Sequence, residues 1–413
     1  MEAFGVRLVV APETTATALA FVVGGVALGT CSGLVPGLHA NNFALLLAAF
    51  APSIPGPPRF VGAAMLAAGV THTFLDVIPA LALGVPDPAM AATALPGHRL
   101  VAQGRGREAL RLSALGSGIA VLLALALAWP FTAAMERIYP ALEPHLPAVL
   151  AALAVAIVLS ERSATARLGA AAGFLASAGL GLATLDAPID GVLPVGDVLA
   201  PLFAGLFGAP VLVEALDGTG VPTQGDAAVT VPRRLVLAVA LVGGLAGAVV
   251  GYLPGVSSAI AATGALVALP KDTGARGFVI ASSGVNTANA IFALFALVAL
   301  GSPRTGVLVA FEETGAPLNL PLLLGAVVIA GAVGFLLVLL VGDYYLRAVG
   351  AVDNTHLSLG VLGLLAVLSY LFAGAFGVGV FLVATLVGLI PPRMGSRRVC
   401  LMGVLIGPLI LGG

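Results

Sequence analysis

A proline–glycine pair interrupts an apolar run that is otherwise long enough to cross a membrane. The run extends from about Thr15 to Phe50, and its centre reads Gly29-Thr30-Cys31-Ser32-Gly33-Leu34-Val35-Pro36-Gly37-Leu38-His39-Ala40-Asn41-Asn42. Proline has no backbone donor and glycine weakens a helix, so Pro36-Gly37 ends one helix and a second must begin after it. At membrane depth the freed peptide groups find no water. Such a break persists only where protein covers it or a wet cavity meets it.

The device returns at Gly251-Tyr252-Leu253-Pro254-Gly255-Val256-Ser257-Ser258. Gly33, Pro36 and Gly37 each lie 218 residues before Gly251, Pro254 and Gly255. A hairpin turn is the plainer reading of either pair alone. Interrupted hydrophobic segments in corresponding halves, however, point to the binding site of a secondary transporter.

Composition agrees with a membrane location. Of 413 residues, 60% are hydrophobic and 9% charged, against about 25% charged in soluble domains. The formal net charge of −1 comes without blocks of like charge, which excludes a nucleic-acid surface. Cys31 and Cys400 both lie in apolar sequence, which excludes a disulfide framework and a zinc site, and no other metal or cofactor is expected. Gly-x-Ser-x-Gly and His-Glu-x-x-His do not occur, and Val195-Gly196-Asp197 has Pro194 where an aspartyl-protease signature needs glycine. An intramembrane enzyme is therefore a remote reading.

Windows of roughly 20 apolar residues predict an all-α polytopic protein of about 10–12 transmembrane segments. A broken hairpin covers 15–51 and a helix 60–84, followed by helices at 112–134, 147–160, 168–184 and 197–216. A second broken hairpin covers 235–269, with helices at 278–301, 319–342, 357–373 and 375–391 and a last apolar piece at 399–411. The expected organisation is one membrane domain, 1–413: a first repeat core (15–134), connecting helices (135–234), a second repeat core (235–342) and C-terminal helices (343–413). The longest loops are expected at 85–111 and 302–318.

The basic residues orient the chain. If both hairpins re-enter the side they came from, one set of loops carries fourteen Lys and Arg, including Arg99, Arg105, Arg107, Arg276 and Arg347. The other carries Arg7, Arg59, Arg137 and Arg304, four of the eighteen. The positive-inside rule makes the first set cytoplasmic in a multi-pass protein of the cell membrane. The two hairpins then enter from opposite sides, as inverted-topology repeats.

The polar residues inside these spans follow the breaks. His39, Asn41 and Asn42 come after the first, and Ser257 and Ser258 after the second. The next helices carry His72, Thr73 and Asp76 in one half and Asn286 and Asn289 in the other. His72 and Asp76 lie one turn apart on a shared face, as do Asn286 and Asn289. Intramembrane ionisable residues mark a pathway or coupling site, although each Ser, Thr or Asn alone also suits an interhelical hydrogen bond. Helix N-termini after the breaks add positive dipole ends, so an anion is the expected ligand.

These segments resemble a known family in collinear order. GTCSGLVPGL (Gly29–Leu38) is similar to the GxxxGxxPGL element of the large permease subunit (TctA-like) of tripartite tricarboxylate transporters. Gly84-Val85-Pro86-Asp87-Pro88, Leu95-Pro96-Gly97-His98, and Gln103 through Leu110 resemble its cytoplasmic loop. Leu202–Gly208, Gly251–Val256 and Gly403–Leu409 resemble its later elements. The chain departs from the family at 68–76, in place of a Tyr/Gly-rich run, and at 282–289. The resemblance implies a permease for carboxylates, ion-gradient coupled. It also implies a small membrane subunit and an extracytoplasmic solute-binding protein as partners.

The expected function is therefore secondary transport of a small organic anion by alternating access, in contact with the lipid bilayer. Substrate contacts are expected from His39, Asn41, Asn42, Thr73, Ser257, Ser258, Asn286 and Asn289. Pro36, Gly37, Pro254 and Gly255 shape the site through the backbone. His72 and Asp76 serve coupling to Na+ or H+. The alternative is a translocase of a lipid-linked phosphate such as a polyprenyl phosphate, which paired Pro-Gly-x-Ser elements also suit.

Overall fold

In a computed structural model of the chain, which describes residues 2–3, 6–7, 11–84, 94–193, 198–216, 220–225, 228–253, 258–267 and 274–412, two rows of glycine set the packing. Helix α1 (Pro12–Leu34) lies on α3 (Pro58–Leu75), which continues through Asp76 into α4 (Val77–Leu83). A Cβ built on Gly25 falls 2.1 Å from the Ala64 carbonyl oxygen, one on Gly29 2.3 Å from that of Ala68, and one on Gly33 3.2 Å from that of His72. Both numberings advance together, so α1 and α3 run parallel.

In the second half, α11 (Arg233–Val250) lies on α13 (Gly274–Leu300) in the same way. Here Gly243, Gly247 and Gly251 would place a Cβ at 2.6, 2.5 and 3.2 Å from the carbonyl oxygens of Ala281, Val285 and Asn289. These are the first three positions again, 218 residues on. Lipid supplies no hydrophobic drive between helices, so small residues that let backbones approach supply the contact through dispersion.

Parallel neighbours oblige the intervening chain to return. Helix α2 (Ala40–Phe50) carries it back between α1 and α3, and α12 (Ser258–Val267) lies between α11 and α13. Gly33 lies beside His72 and Leu75, well short of the end of α4, and Gly251 beside Asn289, midway along α13. The first break thus falls near the mid-length of one central helix, and α11 ends near the mid-length of the other.

The central helices run antiparallel to each other. Thr73 faces Thr287 and Asp76 faces Asn286, while Leu81 and Val279 share the space beside Gly97. Each central helix also packs against a long helix of the opposite half. Helix α6 (Gly106–Leu142) lies on α13, joined by Ser113 to Ser283 at 2.8 Å, and α15 (Leu320–Gly350) lies on α3. Helices α6 and α15 are antiparallel, with Arg107 bonded to Asp343 at one end and Val121 packed on Gly331 further along.

One end of this bundle gathers Arg105, Arg107, Arg276 and Arg347 around two carboxylates. Glu108 is fully buried there; it accepts from Arg105 at 2.7 Å, from Arg276 at 2.9 Å, and from the amide and hydroxyl of Thr230 at 3.2 and 3.1 Å. It ties α6, α13 and the segment leading into α11 together. Glu108→Gln is expected to destabilise the protein by about 2 kcal/mol, since a charged hydrogen-bond acceptor is lost without solvent to replace it. Arg347→Gln, which removes an exposed partner of Asp343, should cost less than about 1 kcal/mol. Melting of the purified protein in detergent separates the two.

A second apolar core gathers α7 (Leu146–Leu159), α8 (Ala164–Thr184), α9 (Leu199–Phe203), part of α16 (Asn354–Gly388) and the C-terminal segment through α18 (Gly403–Leu411). Asn354 bonds Ala215, at the end of α10 (Ala209–Ala215), while Gly388 packs on Leu206 and Pro210 of the same segment. A straight helix of 35 residues would separate its ends by roughly 50 Å, so α16 folds back. The turn is at Ala373 and Gly374, where Gly374 has φ 59° and ψ −153°. It corresponds to the two helices predicted at 357–373 and 375–391.

Among the described residues, eight helical stretches are long and apolar enough to cross a membrane. Three of these stretches, 58–83, 106–159 and 354–393, each contain more than one helix. Apart from a two-residue pairing of Glu2–Ala3 with Val6–Arg7, the regular secondary structure of the described residues is helical. The stretches expected as loops differ. The first contains α5 (Ala94–Ala102) and the second α14 (Gly306–Glu313), helices too short to show as apolar windows. Pro254, Gly255, Val256 and Ser257 of the second break, and Pro194 through Asp197, lie outside the described residues.

Candidate functional site

The start of α2, the described start of α12 and the two central helices converge on one cavity of about 160 Å3. His39, Ala40 and Asn41 line it from the start of α2, Thr73 from α3, Ser258 from the start of α12, and Asn286 and Asn289 from α13. Leu199, Phe203, Met402 and Leu405 of the second core close the opposite side. One wall is therefore polar and belongs to the two glycine-packed halves. The other is apolar and belongs to the second apolar core.

The local geometry follows from the breaks. Pro36 is buried and Gly37 takes φ 74°, with its Cα turned toward Leu365 of α16. The left-handed φ suits glycine, and a Cβ there would fall 2.6 Å from a Leu365 methyl. His39 caps α2: its Nδ1 accepts from the Asn41 amide at 3.0 Å, and its ring stacks on Phe203 at 5.8 Å. A ring nitrogen that accepts is unprotonated, so His39 carries no charge in this arrangement. Asn41 Oδ1 accepts from the Gly306 amide at 3.0 Å, which joins the first break to α14.

In the second half, Asn289 donates to Ser258 Oγ at 3.1 Å, and Asn286 donates to Asp76 Oδ2 at 2.7 Å. Thr73 and Thr287 hydroxyls are 3.1 Å apart. Asp76 sits just behind the cavity wall, at the junction of α3 and α4. His72, one turn earlier, bonds Ser32 of α1 at 2.9 Å through Nδ1. The expected coupling pair thus contacts both the first break's helix and the cavity-lining Asn286. Asn42 is buried away from the cavity lining, and both atoms of its amide lack a hydrogen-bond partner among the described residues.

Six of the expected contact residues, His39, Asn41, Thr73, Ser258, Asn286 and Asn289, therefore share one cavity. Arg304 and Thr305 line it as well, and sequence reasoning did not place them there. Arg304 lies between α13 and α14, half-buried, with its guanidinium carbon 4.7 Å from the centre of the Tyr139 ring. The available signal was its membership in the sparse basic set, directly after a central helix. On α3, a separate groove of about 320 Å3, lined by Phe21, Leu28, Leu47 and Met65, is almost wholly apolar and shares no lining residue with the cavity.

A family model described as the tripartite tricarboxylate transporter TctA family matches residues 19–403. The uncharacterized protein MJ1079 of Methanocaldococcus jannaschii is 25% identical over 401 residues, which cover 95% of this chain and 98% of that protein. No solved structure matches the chain.

Proposed function

The chain belongs to the tripartite tricarboxylate transporter TctA family, and on that premise we propose that it moves a small organic carboxylate across the cytoplasmic membrane by alternating access. The observation that carries this reading is the cavity between the first break, Ser258 and the two central helices, lined by neutral polar side chains and one guanidinium. The N-terminus of α2 at Ala40 lines the cavity and favours an anion there. The antiparallel halves and the mid-length ends of α1 and α11 support re-entrant hairpins in an inverted repeat, the arrangement many secondary transporters use. The arginine-rich end supports a cytoplasmic face for the starts of α6 and α13.

Alternating access would use the two walls of the cavity. A shift of the apolar wall (Leu199, Phe203, Met402, Leu405) against the polar one would open the cavity to one side or the other. The helix is irregular at that wall, with a π-helical stretch over Ala204–Gly208, a form that recurs at functional sites. Asp76 and His72 take the coupling ion, Na+ or a proton. The family relationship supports work alongside a small membrane subunit and an extracytoplasmic binding protein.

The second reading, translocation of a lipid-linked phosphate, draws on the apolar groove beside α1. Its separation from the polar cavity favours the soluble anion. Purified protein in proteoliposomes, given labelled carboxylates and an imposed Na+ or proton gradient, tests the proposal. Gradient-dependent uptake of an acid is the expected result, with addition of the binding protein and small subunit if the chain alone is silent. Failure of the complete system with every acid, together with transfer of a prenyl phosphate between leaflets, would replace the first reading with the second.

A further inference from the structure

Arg304 is the one Lys or Arg among the described residues that line the cavity. No described Asp or Glu forms an ion pair with it, and its Nε is buried without a hydrogen-bond partner. The Tyr139 ring lies 4.7 Å from the guanidinium carbon and its hydroxyl also interacts with the Arg304 side chain, so Tyr139 anchors the guanidinium at the cavity lining, where it can meet a carboxylate. The rest of the lining adds little charge. His39 is neutral while its Nδ1 accepts from Asn41. The first amide of α14, at Gly306, is already taken by Asn41 Oδ1.

Helix α2, whose first residue Ala40 lines the cavity, contributes about half a positive charge at its N-terminus. With Arg304 the lining offers about one and a half positive charges, and Asp76 lies just behind it, bonded to Asn286. A third carboxylate would enter the site with no cation to meet it. Removing an unpaired carboxylate from water costs several kcal/mol.

We infer that Arg304 is the specificity-determining residue of this site: it seats one carboxylate of the substrate, and the cavity accepts mono- and dicarboxylates while rejecting tricarboxylates. This rests on the proposed carboxylate cavity and narrows it to a charge class. Thr305, Asn289 and Ser258 serve the neutral or second anionic end.

Equilibrium binding to the purified full chain in nanodiscs tests this without need of transport or partner subunits. The probes are a labelled four-carbon dicarboxylate, with lactate and citrate as competitors at neutral pH. Citrate is expected to compete at least about 100-fold more weakly than the unlabelled dicarboxylate, the factor that about 2.7 kcal/mol of uncompensated charge gives. Arg304→Gln should weaken dicarboxylate binding by about 100-fold, and Arg304→Lys by less, since the charge stays but the planar fork is lost. The melting temperature of each unliganded variant shows whether the fold is kept. Should Arg304→Gln unfold, Tyr139→Leu provides the second test, with affinity expected to fall because the guanidinium loses its support. Citrate binding as tightly as the dicarboxylate, or affinity unchanged in a folded Arg304→Gln, overturns the inference and leaves the carboxylate cavity standing. Absence of binding by acids of every charge overturns both.

Discussion

Gly29→Val combined with Gly247→Val is expected to leave no folded protein. Each position meets backbone, not a yielding side chain. A first methyl group would lie 2.3 Å from the Ala68 carbonyl oxygen at one and 2.5 Å from that of Val285 at the other. Relief requires α1 to move off α3, or α11 off α13. Either shift disturbs the packing of a central helix that lines the cavity. Overpacking a well-packed contact costs about 1–3 kcal/mol for each site, and more where backbone must move. Two such losses are comparable to the marginal stability of about 5–15 kcal/mol typical of a folded protein.

The comparison that isolates the cause is close at hand. Gly24 neighbours Gly25, and Gly264 lies in the second half, yet a Cβ on either meets nothing within 4 Å. Gly24→Ala and Gly264→Ala should therefore melt like the parent, while Gly29→Ala and Gly247→Ala each melt earlier. Equal melting of all four would remove the glycine rows as the basis of helix packing.

Asp76→Asn is expected to abolish gradient-driven uptake, by about 100-fold or more, while the protein still folds. The substitution is nearly isosteric and keeps an acceptor for Asn286, which donates at 2.7 Å. What it removes is a charge just behind the cavity wall, where an intramembrane carboxylate is costly to retain without a role. Loss of about 2.7 kcal/mol in a step that depends on the ion corresponds to the 100-fold change. Substrate binding measured without a gradient should change far less, because Asp76 is not among the lining residues. His72→Gln should reduce uptake less, as His72 bonds Ser32 in the layer behind. Unaltered gradient dependence in Asp76→Asn would exclude Asp76 from coupling.

Much of the fold was legible because it rests on local rules. A proline followed by glycine favours a helix break, so the interruption at Pro36-Gly37 could be placed from residue identity alone. The 218-residue offset relates Pro36-Gly37 to Pro254-Gly255 in the sequence, and the glycine rows at 25, 29, 33 and 243, 247, 251 share it. The polar residues of the site were legible because few spans of this chain carry Asn, His or Asp. His39, Asn41, Thr73, Ser258, Asn286 and Asn289 do line one cavity.

Arg304 was not legible in that way. A basic residue in a short loop reads as a solvated charge, and nothing local says that α13 and α14 turn it toward the cavity and set it against Tyr139, which lies 165 positions earlier. The apolar wall of Leu199, Phe203, Met402 and Leu405 was equally hidden, since Leu and Phe carry no positional signal in a chain that is 60% hydrophobic. Asn42 shows the converse: adjacent to Asn41 and identical in type, it faces elsewhere because neighbours on a helix point about 100° apart. Breaks, spans and polarity are properties of short segments and were set by residue order. Which side chains meet, and across which pair of helices, depends on contacts between segments hundreds of residues apart, and those came from packing alone.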